Sequence, residues 1–350
     1  MKERPSCKMP SIRKAGKTES IDKIIVSILR NLNSEICSRL RIEDNKIEEI
    51  LQNFTIKSEL SGYNNQICLI NFYGKEKNFL GDICLKYSIE QKGGGRLRVE
   101  SNVLNILRAN SILCPRVMAA NFSDEHDPPY ILMEVIKGRC INDHSLNMRE
   151  AELILNIIQS HESILRDNLR SLQLPSITFD MCREINFENK LLNFLQNFAP
   201  DFIIKNSLNF LNHYLNDVEA INKRVIVTDR SVENIFRDQN NQIVMIDFST
   251  IRIGTQFDNW IQFIDDPRIV FSCTKEKLIR LFFIKNNLSE KDLNYFYISS
   301  IYTNLLQGVF TYQKNSRLGI DYINNANNSF KKLTKKKGVL IDISQQHALK

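Results

Sequence analysis

No run of the roughly eighteen apolar residues that a membrane-spanning helix requires occurs in the 350-residue sequence, and its first twenty residues are basic and polar without an apolar segment. Neither membrane insertion nor secretion is expected. None of the eight cysteines forms a C-x-x-C pair, and no paired histidines stand beside them. That argues against a zinc site and against a disulfide framework, and it suits reduced thiols in a cytoplasmic protein. Tryptophan is confined to Trp260, and there are no internal repeats or long low-complexity segments. The formal charge of +7 has no basic stripe behind it, because Lys and Arg are spread along the chain and cluster only at its two ends. This argues against nucleic acid as a partner.

What is present is an ordinary globular composition, 43% hydrophobic and 25% charged, over a length that suits one two-lobed domain. Residues 1–20 read as a flexible basic tail. Residues 21–136 read as a first lobe with leading helices at 21–32 and 44–53, residues 137–338 as a second lobe, and residues 339–350 as a C-terminal tail. From Phe54 to Ser88 the period shortens toward strands, and Glu59-Leu60-Ser61-Gly62-Tyr63-Asn64-Asn65 interrupts it as a tight hairpin loop. The backbone amides around Ser61 and Gly62 could cover phosphates, although a plain hairpin turn has the same composition. Lys86 ends the apolar run Ile83-Cys84-Leu85, where an inward lysine needs an anion and an outward one snorkels to solvent. A helix is expected over 96–109, and the segments 114–120 and 128–138 follow it. Beyond Gly138 helical spacing dominates, over 147–171, 180–197 and 201–220, then again over 275–286, 289–314 and 321–331.

The most informative stretch is Val225-Ile226-Val227-Thr228-Asp229-Arg230-Ser231-Val232-Glu233-Asn234, followed by Ile243-Val244-Met245-Ile246-Asp247-Phe248. An apolar strand delivers Asp229, a short loop leads to Asn234, and a returning strand delivers Asp247, so that three oxygen-bearing side chains are expected at one sheet edge. Asp and Asn five apart read by themselves as a turn. Asp247 changes the balance, because a carboxylate inside an apolar run is costly to bury without a metal or a partner. The set suits phosphoryl transfer, with Asp229 orienting a substrate hydroxyl and Asn234 and Asp247 holding magnesium on nucleotide phosphates. Arg230 beside Asp229 is positioned to pair with it and block that role.

These residues resemble the catalytic segment of the aminoglycoside phosphotransferase and choline kinase group, whose pattern reads H-G-D-x-x-x-x-N and then I-D-F or I-D-W. Asp229, Asn234, Asp247 and Phe248 match it, and Val227-Thr228 stand where the pattern has His-Gly. The resemblance covers about residues 50–270 as an ordered set of segments. It implies an α+β, two-lobed protein-kinase-like fold, with a small N-terminal antiparallel sheet lobe and a larger, mainly helical C-terminal lobe. It further implies ATP or GTP and Mg2+ as cofactors, Ser61 and Gly62 in the nucleotide loop, and Glu100 as the partner of Lys86. The backbone of Glu134 to Ile136 would meet the adenine edge at the hinge, and Asp258 would cap amides of the catalytic loop from a helix start.

The acceptor implied is a small hydroxylated molecule, such as an aminoglycoside or other antibiotic, choline, ethanolamine or a sugar. An antibiotic-modifying resistance enzyme is one reading within that range. For a cationic antibiotic, Asp265 and Asp266 are the candidate cleft acids, with a helix end or turn as their ordinary alternative. The competing reading is a catalytically impaired pseudokinase that binds nucleotide or a partner, suggested by the absent His-Gly and by Arg230. The sequence leaves the oligomeric state open.

Overall fold

The computed structural model describes residues 54–61, 65–73, 79–88, 94–123, 128–172, 225–312 and 314–336. The expected helices over 21–32, 44–53, 180–197 and 201–220, both tails and Gly62 lie outside these residues. The chain divides into two compact units. Among the described residues the first comprises 54–97 and 117–135, and the second comprises 98–116 and 136–336.

The first unit is built on a five-stranded sheet of order β1-β2-β3-β5-β4, antiparallel at every pairing. Its strands are β1 (Phe54–Ser61), β2 (Asn65–Tyr73), β3 (Phe79–Ser88), β4 (Val117–Asn121) and β5 (Tyr130–Glu134). Alternation decides which side chains form its core. Cys68, Ile70 and Phe72 of β2 and Ile83, Leu85 and Tyr87 of β3 lie on the buried side, as period-two patterning requires. Lys86 points to the opposite face of β3 and is nevertheless only 2% exposed. It is paired in register with Ile67 and Ile131. Helix α1 (Gly94–Ala109) buries Leu97, Val103, Leu104 and Leu107. Gly94 and Gly95 form its first turn, two residues ahead of the start expected at 96.

The second unit is mainly helical and carries two small sheets. Strand β6 (Gly138–Cys140) pairs with β8 (Ile235–Asp238), which pairs with β9 (Ile243–Met245). Separately, β7 (Val225–Val227) pairs with β10 (Arg252–Gly254). Gly138 is required where β6 meets β8, since a Cβ there would lie 2.3 Å from the Arg237 carbonyl oxygen. The β8–β9 turn is closed by the Asp238 carboxylate, which accepts the Asn240 and Gln242 amides at 3.0 and 2.7 Å.

Helix α2 (Met148–Asp167) starts from a capping box between Asn147 and Glu150 and buries Ala151, Ile154, Leu155, Ile158, His161 and Leu165 on one face. Glu150 also accepts from Arg237 of β8 at 2.9 Å, which fastens the helix start to the small sheet. Helices α3 (Asp258–Ile264), α4 (Lys275–Lys285), α5 (Glu290–Tyr312) and α6 (Ser316–Lys336) complete the unit. Phe257, Phe283 and Phe296 pack with ring centroids 5.8 to 6.3 Å apart beneath α3. No helix among the described residues is long and apolar enough to cross a membrane.

Candidate active site

The chain leaves β7 as an extended loop whose alternate amides are held from one side. Thr228 N–H donates to Asn259 Oδ1 at 3.0 Å, Arg230 N–H to Gln262 Oε1 at 3.1 Å, and Val232 N–H to Asp266 Oδ2 at 2.9 Å. Asn259 and Gln262 sit at i and i+3 on α3 and share one face, and Asp266 follows two residues beyond the last helical residue, Ile264. Between them stand Trp260, Ile261, Phe263 and Ile264, all buried. The loop amides are thus satisfied by side chains anchored in the core, which fixes the path of the backbone between them. This role was expected of Asp258. That residue opens α3 and accepts the Thr255 amide and hydroxyl at 3.2 and 2.6 Å, while the amides at 228, 230 and 232 are taken by Asn259, Gln262 and Asp266.

Fixing 228, 230 and 232 presents the residues between them. The Asp229 carboxylate accepts the Ser231 amide at 3.0 Å. Burial pushes its pKa up, and the Asp247 carboxylate nearby pushes in the same direction. The loop then turns through Val232–Asn234. Asn234 directs its Nδ2 to the Asp229 carbonyl and the Ser231 hydroxyl, each at 3.4 Å. Its carbonyl accepts the Ile246 amide at 2.9 Å, joining the loop to the segment that follows β9. Asp247 lies there in the left-handed region at φ 57, a sparsely populated conformation for a non-glycine residue. Its Oδ1 accepts the Ser249 amide and hydroxyl at 3.1 and 2.6 Å. Asp229, Asn234 and Asp247 are therefore brought together as expected, but by two sheets rather than along one edge.

Arg230 does not block Asp229. Its side chain is 1% exposed and turns inward, with Nη1 on Met245 Sδ at 3.0 Å. Asp265 and Asp266 are occupied within the fold. Asp266 holds the Val232 amide and the Nε and Nη2 of Arg268, at 2.9 and 2.8 Å. Asp265 accepts from Ser300 and Asn304 at 2.7 and 2.8 Å. Neither carboxylate serves as a cleft acid, and of the two alternatives the structural one holds.

Behind the loop, Asn259 donates its Nδ2 to Glu162 Oε1 at 2.5 Å. Burial pushes the Glu162 carboxyl up from 4.5 to about 7. A carboxyl whose pKa is higher in the folded state binds its proton more tightly there, so its contribution to stability is full below pH 4.5 and is lost as pH rises through 7. Glu162→Gln, which retains an oxygen for Asn259, should remove that slope. Urea midpoints measured from pH 5 to 8.5 should show the parent losing up to about 3 kcal/mol relative to the variant. A difference that stays constant with pH would assign Glu162 a purely hydrogen-bonding role.

Of the remaining predicted residues, Lys86 and Ser61 lie in the first unit, Lys86 buried on β3 and Ser61 at the end of β1. Glu134 is exposed at the end of β5, and Ile136 is the first residue of the second unit beyond the division at Val135. Glu100 is 1% exposed on α1, and its Oε1 accepts the Phe248 amide at 3.3 Å, directly beside Asp247.

The fold is that of the small-molecule phosphotransferases with a protein-kinase-like architecture, the aminoglycoside phosphotransferase and choline kinase group. No protein-family model matches the sequence, and a search of curated proteins gives no match. The wild-type GDP complex of aminoglycoside 2'-phosphotransferase-IIIa is similar over 87% of this chain and 100% of its own, with a TM-score of 0.55 at 12% identity. A microcompartment-associated aminopropanol kinase is similar over 82% of this chain and 94% of its own, at a TM-score of 0.57 and 14% identity. Choline kinase LicA from Streptococcus pneumoniae is similar over 82% and 97%, at 0.51 and 14%.

Proposed function

We propose that this chain transfers the γ-phosphoryl group of ATP or GTP to a hydroxyl of a small molecule. The observation that carries the reading is the meeting of Asp229 and Asn234, on a loop whose alternate amides are held by Asn259, Gln262 and Asp266, with the segment after β9 that carries Asp247. The similar structures support it: one is an aminoglycoside phosphotransferase solved with GDP and kanamycin, at 12% identity and a TM-score of 0.51 over 84% of this chain and 97% of its own. Asp229 orients the acceptor hydroxyl, and its raised pKa suits a group that takes up the hydroxyl proton as the new P–O bond forms.

Among the described residues no cluster of three or more His, Cys, Asp or Glu could hold a metal unaided. One carboxylate and one amide oxygen nevertheless fit magnesium, which keeps several waters and takes its other ligands from phosphates. Asp247 and Asn234 Oδ1 are the residues that would hold it, and the ion would neutralise charge on the transferring phosphoryl group. In this reading Lys86 and Glu100 order the phosphates, Ser61 and Gly62 cover them, and the backbone at Glu134 and Ile136 takes the adenine edge. The acceptor class stays broad, covering amino sugars, amino alcohols and polyols, and antibiotic modification is one outcome within it. A cytoplasmic setting, which the wide spacing of the cysteines along the sequence suits, belongs to this reading.

The test is a phosphate-transfer screen of ATP and GTP against such a panel, with and without magnesium. Magnesium-dependent transfer to at least one acceptor is expected. Nucleotide binding without transfer to any acceptor would replace the kinase reading with that of a binding module. Lys86→Ala should weaken ATP binding by about tenfold to a hundredfold, the scale of a lost charge-assisted contact. Nucleotide titration checks this, and an unchanged affinity would remove Lys86 from the site.

A further inference from the structure

We propose that Arg230 is a positioning residue that ties the loop carrying Asp229 to the segment carrying Asp247. Its place in phosphoryl transfer rests on the function proposed above, but the coupling itself does not. The Arg230 amide is fixed to Gln262 at 3.1 Å, so its side chain leaves the loop from a pinned point. That side chain reaches Met245 Sδ at 3.0 Å and lays its guanidinium carbon 5.4 Å from the centre of the Phe248 ring. Met245 and Phe248 stand two residues before and one residue after Asp247. One side chain therefore grips both flanks of Asp247 while its own backbone adjoins Asp229.

The grip acts on a residue that needs it. Asp247 holds φ 57, which persists only where the surroundings determine it. Phe248 is fixed from several sides, its amide by Glu100 at 3.3 Å and its ring by His161 at 5.8 Å and by Arg230. His161 is fully buried, and neither ring nitrogen has a hydrogen-bond partner among the described residues. It is neutral, because burial and the neighbouring guanidinium both hold its pKa well down.

Simple space-filling does not account for an arginine here. Its Nε and Nη2 have no hydrogen-bond partner among the described residues, and the carboxylates that act on it through space are Glu162 and Asp229. A buried guanidinium with so few direct bonds is destabilising relative to an aliphatic side chain of similar volume. Its planar cation does what an aliphatic chain cannot: it attracts the face of Phe248 and the sulfur of Met245 together, and it sets a positive charge behind Asp229. In this chain Val227-Thr228 precede Asp229, and the link to the segment carrying Asp247 comes from the residue that follows it.

The experiment compares the parent with Arg230→Met, which keeps bulk without charge, and Arg230→Lys, which keeps charge without the planar group. Hydrogen exchange of the free protein reads the coupling without any substrate. In Arg230→Met the amides of 228–232 and of 245–249 should both exchange about tenfold faster or more, with a smaller effect in Arg230→Lys. With an acceptor from the screen, Arg230→Met should lower kcat by about tenfold to a hundredfold. KM for acceptor and nucleotide should change less than about threefold, and Arg230→Lys should restore part of kcat. Exchange in 245–249 as slow as in the parent would overturn the coupling whether or not the parent is a kinase. If Arg230→Met does not fold, the same exchange measurement on Arg230→Lys decides. A parent that transfers phosphate to no acceptor would overturn the function proposed above, and exchange would then judge the coupling by itself.

Discussion

Replacing Asp229 by Asn should lower turnover by roughly 10² to 10⁴ while leaving magnesium-nucleotide affinity near that of the parent. Asn keeps an oxygen for the Ser231 amide, which Asp229 now accepts at 3.0 Å, so the turn should survive. What it loses is the capacity to receive the acceptor's proton. Asp247→Asn is expected to behave differently, because the residue is assigned to the metal. It should weaken magnesium-dependent nucleotide binding together with turnover, and the Ser249 contacts should keep the left-handed turn in place. Calorimetry with and without magnesium, paired with product assays, separates the two. Equal losses of nucleotide affinity in both variants would mean that the division of labour between the carboxylates is wrong.

The second large effect concerns stability. Asp266 is fully buried, and in a single carboxylate it combines the Val232 amide, the Arg268 amide and the Arg268 guanidinium. Asp266→Ala should destabilise the protein by about 3 to 5 kcal/mol, the range for breaking a buried pair and leaving its partner's charge behind. The lower end is favoured, since Arg268 also pairs with Glu233 and retains some solvent access. Adding Arg268→Ala in the same chain should recover part of the loss, because the orphaned charge goes with it. Denaturant unfolding of the two single variants and the double variant checks this. Strictly additive losses would mean that the ion pair is not the source.

Much of this was legible in the sequence, for identifiable reasons. The strands β2 and β3 and the helices α1 and α2 follow from period, and the nearness of Asp229, Asn234 and Asp247 from their spacing and from a carboxylate inside an apolar run. The supports of the loop were not legible in the same way. Asn259 and Gln262 read as ordinary polar helix residues, and only their spacing against Trp260, Ile261, Phe263 and Ile264 could have exposed them as buried acceptors. Asp258 drew the capping role because a helix start usually takes it, and in the fold Asn259, Gln262 and Asp266 hold the amides at 228, 230 and 232. Arg230 beside an aspartate suggested an ion pair, and side-chain direction decided otherwise. The pairing of β7 with β10 was also hidden, since three-residue strands carry too little alternation to declare a partner.

The ladder from α3 has a consequence for how this chain can vary. An extended backbone advances about 3.3 Å per residue and a helix about 1.5 Å, so alternate loop positions can be met only by helix positions three or four apart. Side-chain length and the bend at the helix end absorb what mismatch is left. The identities at 259, 262 and 266 can therefore drift among short hydrogen-bond acceptors, but their separation cannot. A single residue inserted between 259 and 262 would swing the second acceptor by about 100° and leave the Arg230 amide facing an apolar side chain. Length between these positions, rather than their chemistry, is the quantity by which distant sequences sharing this loop should be aligned.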